Sequence, residues 1–178
     1  PTDITDEDQC KALADAANGR FGRVDILVNN AFVQPPFETI EDNDMKTWRT
    51  GFEVNVFGSI QMTKAVIPHM KEGGAGSVIF INSMSARRIE AEFGVYSATK
   101  AALLTAAQTL AREVGRYGIR VNSVSPGWTW SKIMDTLSGH DRARTDAVAA
   151  PFHFTGRVGD PVEVGRVVAF LLSDAASV

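Results

Sequence analysis

The sequence predicts an α/β fold: a doubly wound parallel sheet with helices on both faces, a three-layer α/β/α arrangement. Three observations predict it. Strand-like and helix-like segments alternate along the 178 residues. The run Ser77-Val78-Ile79-Phe80-Ile81 is apolar without alternation, as a strand buried on both faces requires. Polar or turn-forming residues (Asn29-Asn30, Ser83, Pro126-Gly127) stand at the carboxyl ends of the strand-like segments. Open parallel sheets bind ligands at those ends.

Each element has its own signal. Thr5-Asp6-Glu7-Asp8 is a capping pattern that opens a helix to about Arg20, with Cys10, Leu13, Ala14 and Ala17 on its buried face. Asp25 to Asn29 is a short strand. Asp44 to Met70 reads as one long helix, bent near Asn55 and Gly58 and ending near Pro68, because proline lacks the N–H that continues a helix. Gly73 to Gly76 is a turn before the buried strand. A helix from about Ser97 to Arg116 sets Leu103, Ala106, Ala107, Leu110 and Val114 inward. Arg120 to Val124 is a strand stopped by Pro126-Gly127. Residues 128–157 lack strong periodicity and hold many bulky groups, which predicts a lid or substrate loop. Asp160-Pro161-Val162-Glu163 caps a last helix with Val164, Val167, Val168 and Leu171 inward. No repeat or linker divides the chain, so residues 1–178 read as a single domain.

Composition excludes several classes of function. The chain is 44% hydrophobic and 22% charged with a net charge of −3. No basic tract interleaves with aromatics, so nucleic acid is not expected as a partner. Arg112, Arg116 and Arg120 read as a solvated helix face and the turn after it. No apolar run reaches membrane-spanning length and no signal peptide is visible, so the expectation is a cytoplasmic protein with no membrane partner. The single cysteine, Cys10, excludes an internal disulfide and a cysteine-rich metal site. The histidines at 69, 140 and 153 are scattered, and no metal is expected.

The chemistry concentrates in Tyr96-Ser97-Ala98-Thr99-Lys100, with Ser83 thirteen positions before Tyr96. Residues four apart on a helix share one face. A phenol has an ordinary pKa of about 10, and a nearby ammonium favours the phenolate. Lowering it to about 7, where a general base works best, needs roughly 4 kcal/mol of electrostatic help. A lysine supplies part of that, and a cationic nicotinamide ring would supply more. A serine hydroxyl could hold the oxygen of an alcohol or ketone against the phenol. Taken alone, the Tyr-Lys spacing also fits a surface pair worth a few tenths of a kcal/mol.

With these motifs in order, the chain resembles the short-chain dehydrogenase/reductases, a single-domain Rossmann-like family, over nearly its whole length. Asp3-Ile4 resembles the family's acidic-aliphatic pair at the adenine, and Asn29-Asn30-Ala31 its Asn-Asn-Ala-Gly motif at the cofactor cleft. Asn55 resembles the helix asparagine that holds a water in the proton relay. Ser83, Tyr96 and Lys100 match the catalytic triad, and Pro126-Gly127 the motif beside the nicotinamide. The resemblance implies an NAD(P)-dependent oxidoreductase acting on a secondary alcohol or ketone. Asn55, Ser83, Tyr96 and Lys100 would be catalytic. Asp3, Ile4, Asn29, Ala31, Tyr96, Lys100, Pro126, Gly127, Thr129 and Ser131 would meet the cofactor, NAD or NADP. Ser83, Ser85, Phe93, Trp128 and Met134 are the substrate-side candidates. It also implies a homotetramer or homodimer paired through the two long helices.

The departures are specific. Phe32 replaces the usual glycine, so its backbone cannot freely adopt positive φ and its ring would press toward the cofactor or substrate mouth. Ser85, eleven positions before Tyr96, competes with Ser83 for the serine role. Phe32, Phe93, Trp128, Trp130, Met134, Phe152 and Phe154 suggest a bulky apolar pocket, or simply the packing of a loop. No glycine-rich turn precedes Asp3. The sequence is therefore expected to be the middle of a longer protein whose nucleotide-binding βαβ part and final strand lie outside it. A dinucleotide-binding sensor without turnover is the alternative reading, and an isomerase or dehydratase on the same fold is another.

Overall fold

In the computed structural model, which describes residues 1–177, the sheet has three strands. They are β1 (Ile26–Asn29), β2 (Gly76–Ile81) and β3 (Ile119–Val124), in the order β1-β2-β3. β1 runs parallel to β2, from Ile26 opposite Ser77 to Asn29 opposite Phe80. Val78, Ile79 and Phe80 of the central strand are each at most 1% exposed. Both faces of β2 are covered, as its unalternating apolar run predicts. The chain forms two compact units, residues 1–123 and residues 124 onward.

Helix α1 (Glu7–Phe21) begins where the capping pattern places it, with the Asp6 carboxylate accepting the Gln9 N–H at 3.0 Å. Cys10 and Ala14 are buried, but Leu13 is 46% exposed, which corrects its assignment to the buried face. Leu13 instead borders an open apolar groove with Ile26 and Val28 of β1 and with Met62 and Val66 at the edge of the core.

The long helix exists but is built in three parts. α2 (Met45–Phe52) passes into a π-helical segment, Glu53–Gly58, and then into α3 (Ser59–Gly73). The predicted disturbance at Asn55 and Gly58 is this widened turn. Glycine stands just before it and at its last position, where neighbours press closest. A Cβ on Gly51 would lie 2.7 Å from Val95 Cγ1, and one on Gly58 would lie 2.7 Å from Ile4 Cγ1. The predicted stop at Pro68 is wrong. Pro68 sits inside α3, which runs to Gly73 and closes on the left-handed Gly74. Lys64 and Pro68 both lie on the exposed face. Water can serve there the carbonyl that proline leaves unpaired.

α4 (Gly94–Val114) starts three residues earlier than the sequence suggests. The Phe93 carbonyl already accepts the Ser97 N–H at 2.8 Å, so Tyr96 belongs to the first turn and Lys100 to the second. Just before α4, Glu92 takes a left-handed φ of 67°, and its carbonyl accepts the Glu38 N–H at 3.2 Å. The core joins Met62, Val66 and Met70 of α3 to Phe80, Leu103, Ala107, Val114 and Ile119, with Cys10 and Ala14 on its margin toward α1.

In the second unit, residues 128–157, read from the sequence as a lid or substrate loop without strong periodicity, hold regular structure. They contain α5 (Lys132–Leu137) and α6 (Arg142–Ala149). Both start on side-chain caps: Ser131 Oγ accepts the Met134 N–H at 3.2 Å, and Asp141 accepts the Arg144 N–H at 2.9 Å. Helices of six and eight residues are too short to show a period. α7 (Pro161–Leu172) follows Asp160, whose N–H is accepted by Glu163 Oε2 at 2.7 Å. Val164, Val168 and Leu171 are half-buried, but Val167 is 49% exposed and does not face inward. The stripe 164, 168, 171 is narrow, and position 167 is rotated off it.

Arg157 holds Glu163 with two bonds, Nη2 to Oε1 at 2.7 Å and Nη1 to Oε2 at 3.0 Å. With the Asp160 N–H, this pair holds the Glu163 carboxyl down at about 2. A depressed folded-state pKa contributes stability above the unfolded value of about 4.3 and loses it as pH falls toward the folded value. The expected outcome for Glu163→Gln is a lowered melting temperature at pH 6 and a difference from wild type that closes between pH 4.5 and 2. Calorimetric melts across that range check it, and a difference independent of pH would contradict it.

Candidate active site

The site grows from the carboxyl end of β2. Asn82 turns the chain there: its Oδ1 accepts the Ser83 N–H at 3.0 Å, and its Nδ2 donates to Ser123 Oγ at 3.2 Å. Ser83 Oγ accepts the Ser85 N–H at 3.1 Å and shares a side-chain hydrogen bond with Tyr96. The two candidate serines are thereby separated. Ser83 meets the phenol, and Ser85 anchors Ser83 through its backbone.

Tyr96 stands between two aromatic rings. Phe32 lies 6.3 Å away between centroids at a tilt of 58°, and Phe93 lies 6.4 Å away edge-on at 70°. Phe37 packs on Phe93 at 4.8 Å. Burial pushes the Tyr96 phenol above its ordinary value, and the Ser83 hydrogen bond offsets part of that rise. The rise adds to the electrostatic help the phenol needs, of which the sequence reading gave Lys100 only a part. The Lys100 ammonium donates to the Ile81 carbonyl at 2.9 Å and lies 5.6 Å from the Tyr96 ring centroid.

Lys100 is only 4% exposed. Burial alone lowers its pKa to about 8. Its ammonium faces the Ile81 carbonyl and two rings, with Phe32 at 5.4 Å from the ring centroid.

Asn55, in the π-helical segment, is 1% exposed and fully engaged. Its Oδ1 accepts the Val33 N–H at 2.7 Å. Its Nδ2 donates to the Val33 carbonyl at 3.0 Å and to Thr99 Oγ1 at 3.4 Å. Only one orientation of the carboxamide satisfies both Val33 groups. Thr99 Oγ1 in turn donates to the Tyr96 carbonyl at 2.8 Å.

The other candidates fall in two places. Asn29 is buried, and its Nδ2 donates to Thr63 Oγ1 at 2.9 Å. Asn29, Ala31 and Ile4 border a cavity of about 300 Å³ with Asn30 and Ser59. Asp3 is exposed and closes on Thr5, accepting its N–H at 2.9 Å and its hydroxyl at 2.8 Å. Pro126, Gly127, Trp128, Thr129, Ser131 and Met134 belong to the second unit. There the Trp128 N–H donates to His153 Nε2 at 2.9 Å, Thr129 Oγ1 donates to the Gly127 carbonyl at 3.2 Å, and Ser131 caps α5. The sequence reading missed Asn82 and Thr99 as orienting groups. Both adjoin the triad, and that adjacency was the available signal.

Among the described residues, no helix is long and apolar enough to cross a membrane, and no group of three His, Cys, Asp or Glu is placed to hold a metal.

Comparison with known proteins identifies the class. A family model described as Enoyl-(Acyl carrier protein) reductase matches residues 1–178. The chain belongs to the short-chain dehydrogenase/reductase family. It is 36% identical over 176 residues to cis-4-hydroxycyclohexanecarboxylate dehydrogenase of Sinomonas cyclohexanicum, covering 99% of this chain and 69% of that protein. It is 34% identical over 179 residues to L-fucose dehydrogenase of Oryctolagus cuniculus, covering 98% of this chain and 62% of that protein. A solved structure of 7α-hydroxysteroid dehydrogenase with NADH and 7-oxo glycochenodeoxycholic acid superposes with a TM-score of 0.88 at 33% identity, covering 99% of this chain and 67% of that one. The chain thus spans about two thirds of the length of the relatives it matches.

Lys100 gives a stability prediction. Its folded pKa of about 8 lies below its ordinary value of 10.5, so the fold disfavours the charged form. That cost is fully present below pH 8 and fades as pH rises toward 10.5. The expected outcome for Lys100→Met is a gain of up to about 3 kcal/mol at pH 7, reduced by the Ile81 carbonyl left without its donor. Denaturant unfolding of both proteins at pH 7 and pH 10 checks it. A gain that does not shrink with pH would contradict it.

Proposed function

We propose that the whole protein interconverts a secondary alcohol and a ketone with NAD or NADP, and that Tyr96 is its general acid–base. The observation that carries this reading is the convergence of Ser83, Tyr96 and Lys100 at the carboxyl end of β2. The dehydrogenase relatives named above support it. Bound NAD(P) supplies the hydride chemistry. The donor set fits such a ligand, since Lys100 has ammonium hydrogens beyond the one given to Ile81 and no carboxylate lowers their availability.

Tyr96 exchanges the proton with the substrate oxygen, and Ser83 hydrogen-bonds that oxygen and the charge developing on it. Protonated as burial leaves it, the phenol is ready to donate to a ketone. Accepting a proton from an alcohol draws on the positive charge of Lys100. Asn55 serves the proton relay from the π-helical turn, and its carboxamide also fixes the strap at Val33. Asn29, Ala31, Ile4 and Asp3 are proposed for the cofactor. Pro126, Gly127, Thr129 and Ser131 are proposed for it on their sequence motif alone, as Trp128 and Met134 are for substrate. Ser85 and Phe93 flank the Ser83–Tyr96 pair on the substrate side.

Tyr96→Phe keeps the ring and removes the proton carrier. The expected result is at least a hundredfold loss of kcat with dinucleotide affinity unchanged. Steady-state rates and a calorimetric titration check it, and a loss below tenfold would sink the assignment.

We further propose that the whole protein is a homodimer or homotetramer paired through α3 and α4. These helices border an open groove of about 750 Å³ that includes Ile60, Ile67, Ala102, Ala106 and Leu110. Small residues such as Ala102 and Thr109 permit close helix approach, and two-fold contacts bury the same patch on both copies. Light scattering is expected to show a dimer or tetramer at micromolar concentration, and Ala102→Arg to dissociate it. A wild-type monomer would contradict the proposal.

A further inference from the structure

Phe32 is the residue in this site whose presence the triad does not explain. Its φ is not positive, so the chain accommodates a side chain at this point without left-handed backbone. Its neighbour Val33 is held at both its N–H and its carbonyl by Asn55, which fixes where the ring emerges. The ring is 41% exposed, whereas the ammonium beneath it belongs to a residue only 4% exposed. The Lys100 Nζ lies 5.4 Å from the Phe32 centroid and 5.6 Å from the Tyr96 centroid. From β2 it meets a neutral carbonyl, that of Ile81. On its own helix it meets the Tyr96 ring, and from the π-helical segment the side chain beside Thr99 is the neutral Asn55. Among the described residues the buried ammonium has one carbonyl partner and no carboxylate, and the negative face of an aromatic ring supplies further stabilisation.

We propose that Phe32 is a positioning residue whose ring face holds the Lys100 ammonium charged and in place beside Tyr96. This rests on the reading of Tyr96 and Lys100 as the acid–base pair. Phe32 touches no reacting atom in this role. It covers one side of the ammonium, leaves the remaining ammonium hydrogens to the cofactor, and replaces part of the lost hydration with its own quadrupole. A carboxylate here would cancel the positive field that Tyr96 uses. An aromatic face stabilises the cation and leaves its field in place.

The test uses the whole protein with Phe32 replaced by 4-fluoro-, 3,5-difluoro- and 3,4,5-trifluorophenylalanine. The shape is nearly constant while the ring face weakens in steps. Lys100 is followed directly by the 13Cε shift of labelled lysine, assigned with Lys100→Arg. The titration midpoint of Lys100 is expected to fall stepwise, by about 0.5 at the trifluoro variant. The value of kcat is expected to fall in step, by about threefold, with KM nearly unchanged. Phe32→Leu should match the trifluoro variant, and Phe32→Trp should restore the wild-type midpoint. A Lys100 midpoint that stays within 0.1 across the fluorinated series overturns the proposal. The outcome for Tyr96→Phe is independent: retained turnover there would remove the acid–base reading while the fluorine series still reports on the ring and the ammonium.

Discussion

The site depends on one side chain, the carboxamide of Asn55. It holds both backbone groups of Val33 in a paired amide contact and reaches Thr99 on the helix that carries the triad. Each of those groups would cost about 1–3 kcal/mol if buried without a partner. The same clasp therefore fixes the strap after β1, which carries Phe32, to the second turn of α4, which carries Lys100. Ser83 arrives from the other side, held by Asn82 and by the Ser85 backbone. Three segments distant in sequence thus meet with little freedom left in any of them. Such preorganisation is what lets a hydroxyl and an ammonium act without rearrangement at the moment of reaction.

Burial sets the electrostatic terms of the site. It raises the Tyr96 phenol and lowers the Lys100 ammonium, moving the two groups toward their neutral forms. The hydrogen bond from Ser83 and the Ile81 carbonyl resist that tendency. An aromatic enclosure is a weak solvent for charge, but it excludes water that would screen the pair. The arrangement sacrifices stability at Lys100, and on the proposed reading it does so for a field concentrated on Tyr96.

What the sequence made legible was whatever has a local period. Tyr96, Lys100 and the buried β2 run were readable because spacing on a helix or strand fixes which face a residue takes. Asp6 and Ser131 are cap residues, yet only Asp6 was read as one, since the helix behind Ser131 is too short to display a repeat. Pro68 misled because the rule against proline assumes a buried or unsolvated carbonyl, and Lys64 lies on the exposed face. Leu13 and Val167 misled because an apolar residue one step off a stripe looks the same on paper as one within it. The clasp of Val33 by Asn55 left no trace at all. A side chain bonding to backbone 22 positions away has no pattern, only geometry.

The π-helical segment has a consequence for how this chain can vary. A wide turn inserts about one residue into the helical count, and one residue is about 100° of rotation. Everything after Gly58 is therefore phased by the segment's length. Met62, Val66 and Met70 point at the sheet, and Asn55 at Val33, because of the number of residues between Phe52 and Ser59. Apart from Asn55 and Gly58, side chains in that stretch can be exchanged for others of similar size. Removing one would turn α3 by more than a quarter revolution, swinging its apolar stripe off the core. The segment is a spacer measured in residues, and evolution can rewrite its letters more freely than its count.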